Sequence, residues 1–159
     1  MKNTIYILLS FVLINCSKPK NKTSIESRTV HAFYTDKAKP IMNCELIIKE
    51  GDSITTYNYR HSINEEKNLE FSFNKNSNRI LMFGSERILS GNPVYINKNL
   101  QDYEFNTYRS RELRPDEGYL LFNPEYGFLS IQNVLAPSFV CLPTENNSLA
   151  KEILYDSRK

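Results

Sequence analysis

Acid–base chemistry in this chain rests on two histidines, His31 and His61, and on carboxylates scattered along its 159 residues. His61 is the sharper of the two. Glu65 and Glu66 follow it closely and, in a loop, could fold back onto the ring as an acid–base pair. The plainer reading places His61 on the surface at the end of a strand over Ile54–Arg60. His31 falls in Thr29-Val30-His31-Ala32-Phe33-Tyr34, a strand-like stretch where packing is the simpler role. Anion binding has one candidate cluster, Arg109, Arg111 and Arg114, because a guanidinium presents a planar fork of donors to phosphate or carboxylate. Glu104, Glu112, Asp116 and Glu117 stand nearby in sequence and favour a self-paired loop instead.

The remaining catalytic inventory is thin. The sequence holds no His-Glu-x-x-His, no Cys-x-x-Cys, no phosphate loop and no Gly-x-Ser-x-Gly. The five glycines, at 51, 84, 91, 118 and 127, are too dispersed to cradle a phosphate. No catalytic residue, metal ligand or cofactor is assigned. Aromatic residues are the more informative resource, with ten tyrosines and nine phenylalanines but no tryptophan. If exposed, Tyr57, Tyr59, Tyr108, Tyr119 or Tyr126 could stack on a glycan or anchor a protein partner. In ordinary strands the same rings fill the core. The hairpin Gly118–Ile131, with Tyr126 at its turn, is the expected recognition edge, so Tyr126 joins the three arginines as a ligand-binding candidate.

The elements that must position these groups read as strands. Leu69, Phe71 and Phe73 alternate with Glu70 and Ser72, and Tyr103, Phe105 and Thr107 alternate with Glu104 and Asn106. That is the period-2 pattern of half-buried strands. Turn chemistry falls between the runs: Glu50-Gly51-Asp52, Asn74 to Asn78, Pro115 to Gly118, and Asn123 to Gly127. About eight to ten strands are expected, in an antiparallel β-sandwich or open barrel that is mainly β. A short C-terminal helix is expected where Asn147 or Ser148 can cap a stripe of Leu149, Ile153 and Leu154. The stretch from Asn133 to Pro143, with two prolines, reads as an extended connection.

The N-terminus gives an address rather than an activity. Met1-Lys2 is followed by an apolar run from Ile5 to Ile14, broken only by Ser10 and too short to cross a bilayer. It ends on Leu13-Ile14-Asn15-Cys16, with the polar Ser17 to Lys22 behind it. This resembles the lipobox signal of bacterial lipoproteins. The resemblance implies removal of residues 1–15 and acylation of Cys16, which would anchor the chain in a lipid bilayer. Ser17 in place of Asp points, by the same analogy, to the outer membrane of the cell envelope. Residues 16–28 read as the lipidated cysteine and a flexible tether, and 29–159 as one β-rich domain. In an exported chain Cys44 and Cys141 are candidates for a disulfide closing about 97 residues, the alternative being two buried thiols.

The net charge of +2 falls to +1 once Lys2 is removed, so electrostatics offer no case for nucleic acid. The expected partners are the bilayer, through acylated Cys16, and an envelope protein or glycan. The leading expectation is a non-enzymatic binding, assembly or inhibitor/immunity module in the envelope. It resembles, in architecture only, the small β-rich lipoproteins that inhibit lysozyme or confer immunity to a delivered toxin. The alternative is a cell-envelope glycan-binding protein or hydrolase, for which Glu65, Glu66, Asp116 and Glu117 would supply the acids.

Overall fold

The computed structural model of the protein describes residues 22–34, 38–91, 94–112, 117–134 and 137–156. Eleven strands are present among them: β1 (Lys22–Phe33), β2 (Ala38–Glu50), β3 (Ile54–His61), β4 (Leu69–Asn74), β5 (Arg79–Met82), β6 (Ser85–Leu89), β7 (Tyr95–Ile96), β8 (Glu104–Ser110), β9 (Glu117–Asn123), β10 (Gly127–Asn133) and β11 (Ser138–Pro143). A short helix, α1 (Ala150–Asp156), closes the described chain. The fold is mainly β and antiparallel with one short C-terminal helix, as expected. The sheet is a closed barrel: ten strands pair in sequence order, β11 returns to β1, and β6 pairs directly with β8. Only β7 stands outside the circuit, as a two-residue strand on β8. Closure leaves no long free edge.

Alternation puts the aromatic residues inside. Along β3, Thr55, Tyr57 and Tyr59 are buried, whereas Ile54, Thr56, Asn58 and Arg60 are partly or well exposed. Tyr57, Tyr59, Phe71, Phe73, Tyr108, Phe122 and Phe128 meet in one interior cluster with Leu46, Ile48, Ile80, Met82 and Leu120. Tyr57 stacks on Phe71 at 4.8 Å between ring centres, and Phe122 sets its edge or face against Tyr57, Phe71, Phe73 and Tyr108. The interior is therefore packed rather than hollow. That packed apolar interior differs from the polar lumen of a transmembrane barrel. Among the described residues no helix is long and apolar enough to cross a membrane.

A second cluster lies on the outer wall. Phe105, Leu121, Leu129, Val140 and Leu142 face α1, which contributes Ala150, Ile153 and Leu154. The expected stripe holds, but a 3-10 turn over Thr144–Leu149 comes first. Strand β11 is consequently covered on both faces, Phe139 and Cys141 inward and Val140 and Leu142 under the helix. That is why Phe139 to Leu142 reads as an unbroken apolar run, and why Ser138–Pro143 is a strand rather than a connection. At the other end of the sequence, β1 begins at Lys22, earlier than the boundary at Thr29. Lys22 to Ser27 pair with Glu45 to Glu50 of β2, and the ladder supplies the order that their polar composition conceals.

Cys44 and Cys141 are free thiols, both buried. The candidate disulfide is not formed, and the register explains why. Cys44 pairs with Arg28 on one side of β1, while Cys141 pairs with Val30 on the other. Two strand spacings amount to about 10 Å, beyond the roughly 7 Å that a disulfide spans between Cα atoms. Burial pushes the Cys44 thiol up to about 11 and raises Cys141 further, so neither is a ready thiolate. Mass spectrometry after iodoacetamide treatment is expected to show both thiols unmodified in the native protein and both alkylated after denaturation without reductant.

Candidate functional site

The meander topology sorts the loops onto two barrel ends. One end, where β1 starts, carries the hairpin turns at 51–53, 75–78 and 124–126, the β6–β8 connection with β7, and the exit of β11. The other carries the β1–β2, β3–β4, β5–β6, β8–β9 and β10–β11 connections. The two ends differ in chemistry. At the first, Asp52, Ser53, Lys75, Asn76, Ser77, Pro124 and Glu125 are exposed on the hairpin turns, Tyr126 is tucked inward, and the β6–β8 connection holds Val94 and Ile96 about half exposed. At the second, four loops each hold out one large apolar side chain: Tyr34 (74% exposed), Ile63 (90%), Phe83 (77%) and Val134 (67%). The other exposed apolar residues, such as Ile25, Ile54, Leu81 and Ile96, stand singly on the barrel wall or along β7.

Two of these four tips are held by specific local structure. Phe83 and Gly84 form the two-residue turn between β5 and β6, with φ of 52° and 75°. Positive φ at both central positions is the type I′ arrangement that matches strand twist. Asn or Asp adopts it with little strain, whereas a bulky residue there is an outlier. Ile63 rides on the β3–β4 loop, which is tied by side chains. The His61 N–H donates to Asn68 Oδ1 at 2.8 Å, and the Ile63 and Asn64 N–H groups donate to His61 Nδ1 at 3.0 Å each. Asn64 Oδ1 in turn accepts from the Glu66 N–H at 2.9 Å, starting the 3-10 turn Glu65–Lys67.

At the β1 end a cavity of about 330 Å³ opens beside Glu26, Arg28, Tyr103, Tyr126 and Glu145. Arg28 is buried, its guanidinium lying 3.9 Å from the centre of the Tyr126 ring and donating to Glu26 Oε2 and, at 3.3 Å, to the Tyr126 carbonyl. The Tyr126 hydroxyl donates to the Cys141 carbonyl at 3.1 Å. Glu26 and the ring face together offset the cost of burying this charge.

The chain matches no family model, no curated protein and no solved structure. The site is therefore read from geometry alone. Of the ligand-binding candidates, Tyr126 is buried under Arg28 and presents no recognition edge. The turn preceding Gly127 packs inward because Asn123 Oδ1 accepts from the Glu125 and Tyr126 N–H groups and curls it back. Arg109 and Arg111 lie at the apolar-tipped end, in and just after β8, and Arg114 lies outside the described residues. Arg111 bonds Glu86 at 2.7 Å and, with Arg79 adding, holds that carboxyl below the usual carboxylate range. The partner is Glu86 of β6, brought alongside by the β6–β8 pairing, and not one of the acids near in sequence. Tyr57, Tyr59 and Tyr108 are core residues, and only Tyr119 of the five flagged tyrosines is exposed.

His31 is buried and pairs with Asn147 Oδ1 at 3.1 Å, a packing role. Glu65 and Glu66 are adjacent and exposed on the 3-10 turn, Asp116 lies outside the described residues, and the Glu117 side chain is not among those described. Among the described residues no group of three His, Cys, Asp or Glu could hold a metal ion. Ile63 escapes sequence reasoning as a lone apolar residue in a polar loop, and Tyr34, Phe83 and Val134 because each borders an apolar run and reads as part of it. Their common address is a property of the topology. The one legible signal was Phe83-Gly84 standing where a hairpin normally has Asn-Gly.

Proposed function

We propose that the chain is a bacterial envelope lipoprotein, tethered to the outer membrane through acylated Cys16, that works as a non-enzymatic binding, assembly or inhibitor/immunity module. It engages a protein partner through the barrel end remote from its tether. The observation that carries the second half is the gathering of Tyr34, Ile63, Phe83 and Val134 on that one end. Aromatic side chains such as Tyr34 and Phe83 are enriched at protein–protein contacts, and flanking aliphatic ones help exclude water there. Phe83 adds weight, because its left-handed backbone is strain that the fold itself does not need. Arg109, Arg111 and Tyr119 near the same end are residue types enriched at such contacts.

The tether sets the orientation. Six residue steps separate Cys16 from Lys22, a reach of at most about 20 Å. The polar turns then face the bilayer, and the apolar tips stand roughly 30 Å further out, the height of a tilted strand as long as β1. Two variants of the full chain test the two halves. Cys16→Ser is expected to move the protein from the membrane pellet to the soluble fraction; retention in the pellet removes the lipid anchor. Phe83→Asn suits the turn better than phenylalanine, so the fold is expected to be unharmed while partner affinity falls about tenfold or more. Photo-crosslinkers at positions 83 and 63 in cells are expected to trap one common protein, and one at position 76 none. Trapping from position 76 instead would overturn the assignment of the binding end.

A further inference from the structure

We propose that His61 is a pH-operated cap: its neutral ring holds the β3–β4 loop in form, and protonation releases that loop together with Ile63 at its tip. The geometry is that of an acceptor used twice. Nδ1 takes the N–H groups of the second and third residues onward, Ile63 and Asn64, each at 3.0 Å. The barrel repeats this motif with amide oxygens at its other end. Asn74 Oδ1 accepts from Asn76 and Ser77 at 3.0 Å each, and Asn123 Oδ1 from Glu125 and Tyr126 at 2.8 and 3.1 Å. Asparagine keeps its acceptor at every pH, and histidine does not. A protonated imidazole carries hydrogens on both nitrogens and accepts nothing. The two backbone donors then face a third donor. The cap is thus present while the ring is neutral and lost when the ring is protonated.

The charged groups around the ring do not remove this conflict. On β2, His61 pairs with Cys44, and the adjacent Glu45 pairs with Arg60. Arg60, Glu45 and Arg28 of β1 share a shallow groove with His61, and Glu65, Glu66 and Lys67 occupy the loop itself. Whichever way their fields lean, a proton on Nδ1 points at two N–H groups. The consequence for binding rests on the reading of the remote end as the contact surface. There, acid would disperse the loop holding the most exposed apolar side chain.

Hydrogen exchange of the full-length protein in detergent micelles, followed by mass spectrometry, tests the cap. The peptide spanning 61–68 is compared with those spanning 74–78 and 123–127, which correct for the intrinsic pH dependence of exchange. Between about pH 8 and pH 5 its relative protection is expected to fall about tenfold in the wild type. In His61→Asn it is expected to stay level with the two asparagine loops. Constant relative protection in the wild type would overturn the proposal, and so would an equal fall in His61→Asn. The wild-type series decides alone should the variant not fold. Crosslinking from position 63 reads out the binding surface separately, so loss of one conclusion leaves the other standing.

Discussion

Phe122→Ala is expected to destabilise the barrel by about 3–5 kcal/mol, among the largest costs a single truncation can impose. Phe122 is fully buried on β9 and is the ring against which four others pack: Tyr57 at 5.3 Å, Phe73 at 5.2 Å, Tyr108 at 5.7 Å and Phe71 at 6.0 Å between centres. These partners come from β3, β4 and β8, so the ring ties both halves of the circuit together. They cannot collapse into the vacated space, because strand pairing on a closed barrel fixes the wall on every side. For a domain of this size the loss corresponds to a fall in Tm of about 10–20 °C. Leu81→Ala, at an exposed position on the wall of β5, is the control, with an expected change within about 0.5 kcal/mol. Similar Tm values for the two variants would mean that the interior is not packed as described.

The same contrast explains what could be read from the sequence. Leu69-Glu70-Phe71-Ser72-Phe73 alternates because β4 has one wet face and one dry face, so strand and buried side were both visible. The turns at Gly51, at 75–78 and at 124–126 were visible because each needs specific residues. Closure was not, since it depends on β6 meeting β8 across a long connection that leaves no mark on either strand. Lys22 to Ser27 was read as a tether because a polar strand owes its order to its partner, β2, and not to its own composition. Tyr126 misled for the opposite reason. Asn123-Pro124-Glu125-Tyr126-Gly127 has the composition of an exposed turn, and only the folded chain places Arg28, almost one hundred positions away, above the ring.

The candidate binding end was the least legible feature. Tyr34, Ile63, Phe83 and Val134 share no spacing, and no two lie on the same loop. An up-and-down barrel sends alternate connections to opposite ends, so a chemical bias on every second loop becomes a bias of one surface. The proposed lipobox, by contrast, is a linear signal, carried by Leu13 to Cys16 alone. In the proposed reading, orientation follows from combining the two, a short tether at one end and apolar tips at the other.

Gly118→Ala is expected to be more disruptive than its single methyl group suggests. A Cβ at Gly118 would sit 1.8 Å from the carbonyl oxygen of Gln132 and 2.4 Å from its carbon, with Asn133 N at 3.1 Å. All three are backbone atoms of β10, so no side chain can turn aside. The register there is already irregular, since Leu120 pairs with Ile131 but Glu117 with Asn133, and the glycine lets the two strands approach through that irregularity. Relief would require β9 and β10 to part by more than 1 Å near the end that carries the apolar loops, loosening the Arg87 bond to the Gly118 carbonyl as well. A cost of about 3 kcal/mol or more is expected, a large share of the 5–15 kcal/mol that holds a typical domain. Gly84→Ala gives the scale for backbone strain alone. It has φ of +75° with nothing within 4 Å, so it should lose about 1 kcal/mol. Urea unfolding of both variants separates the two causes, and equal midpoints would show that the β9–β10 approach is looser than the geometry requires.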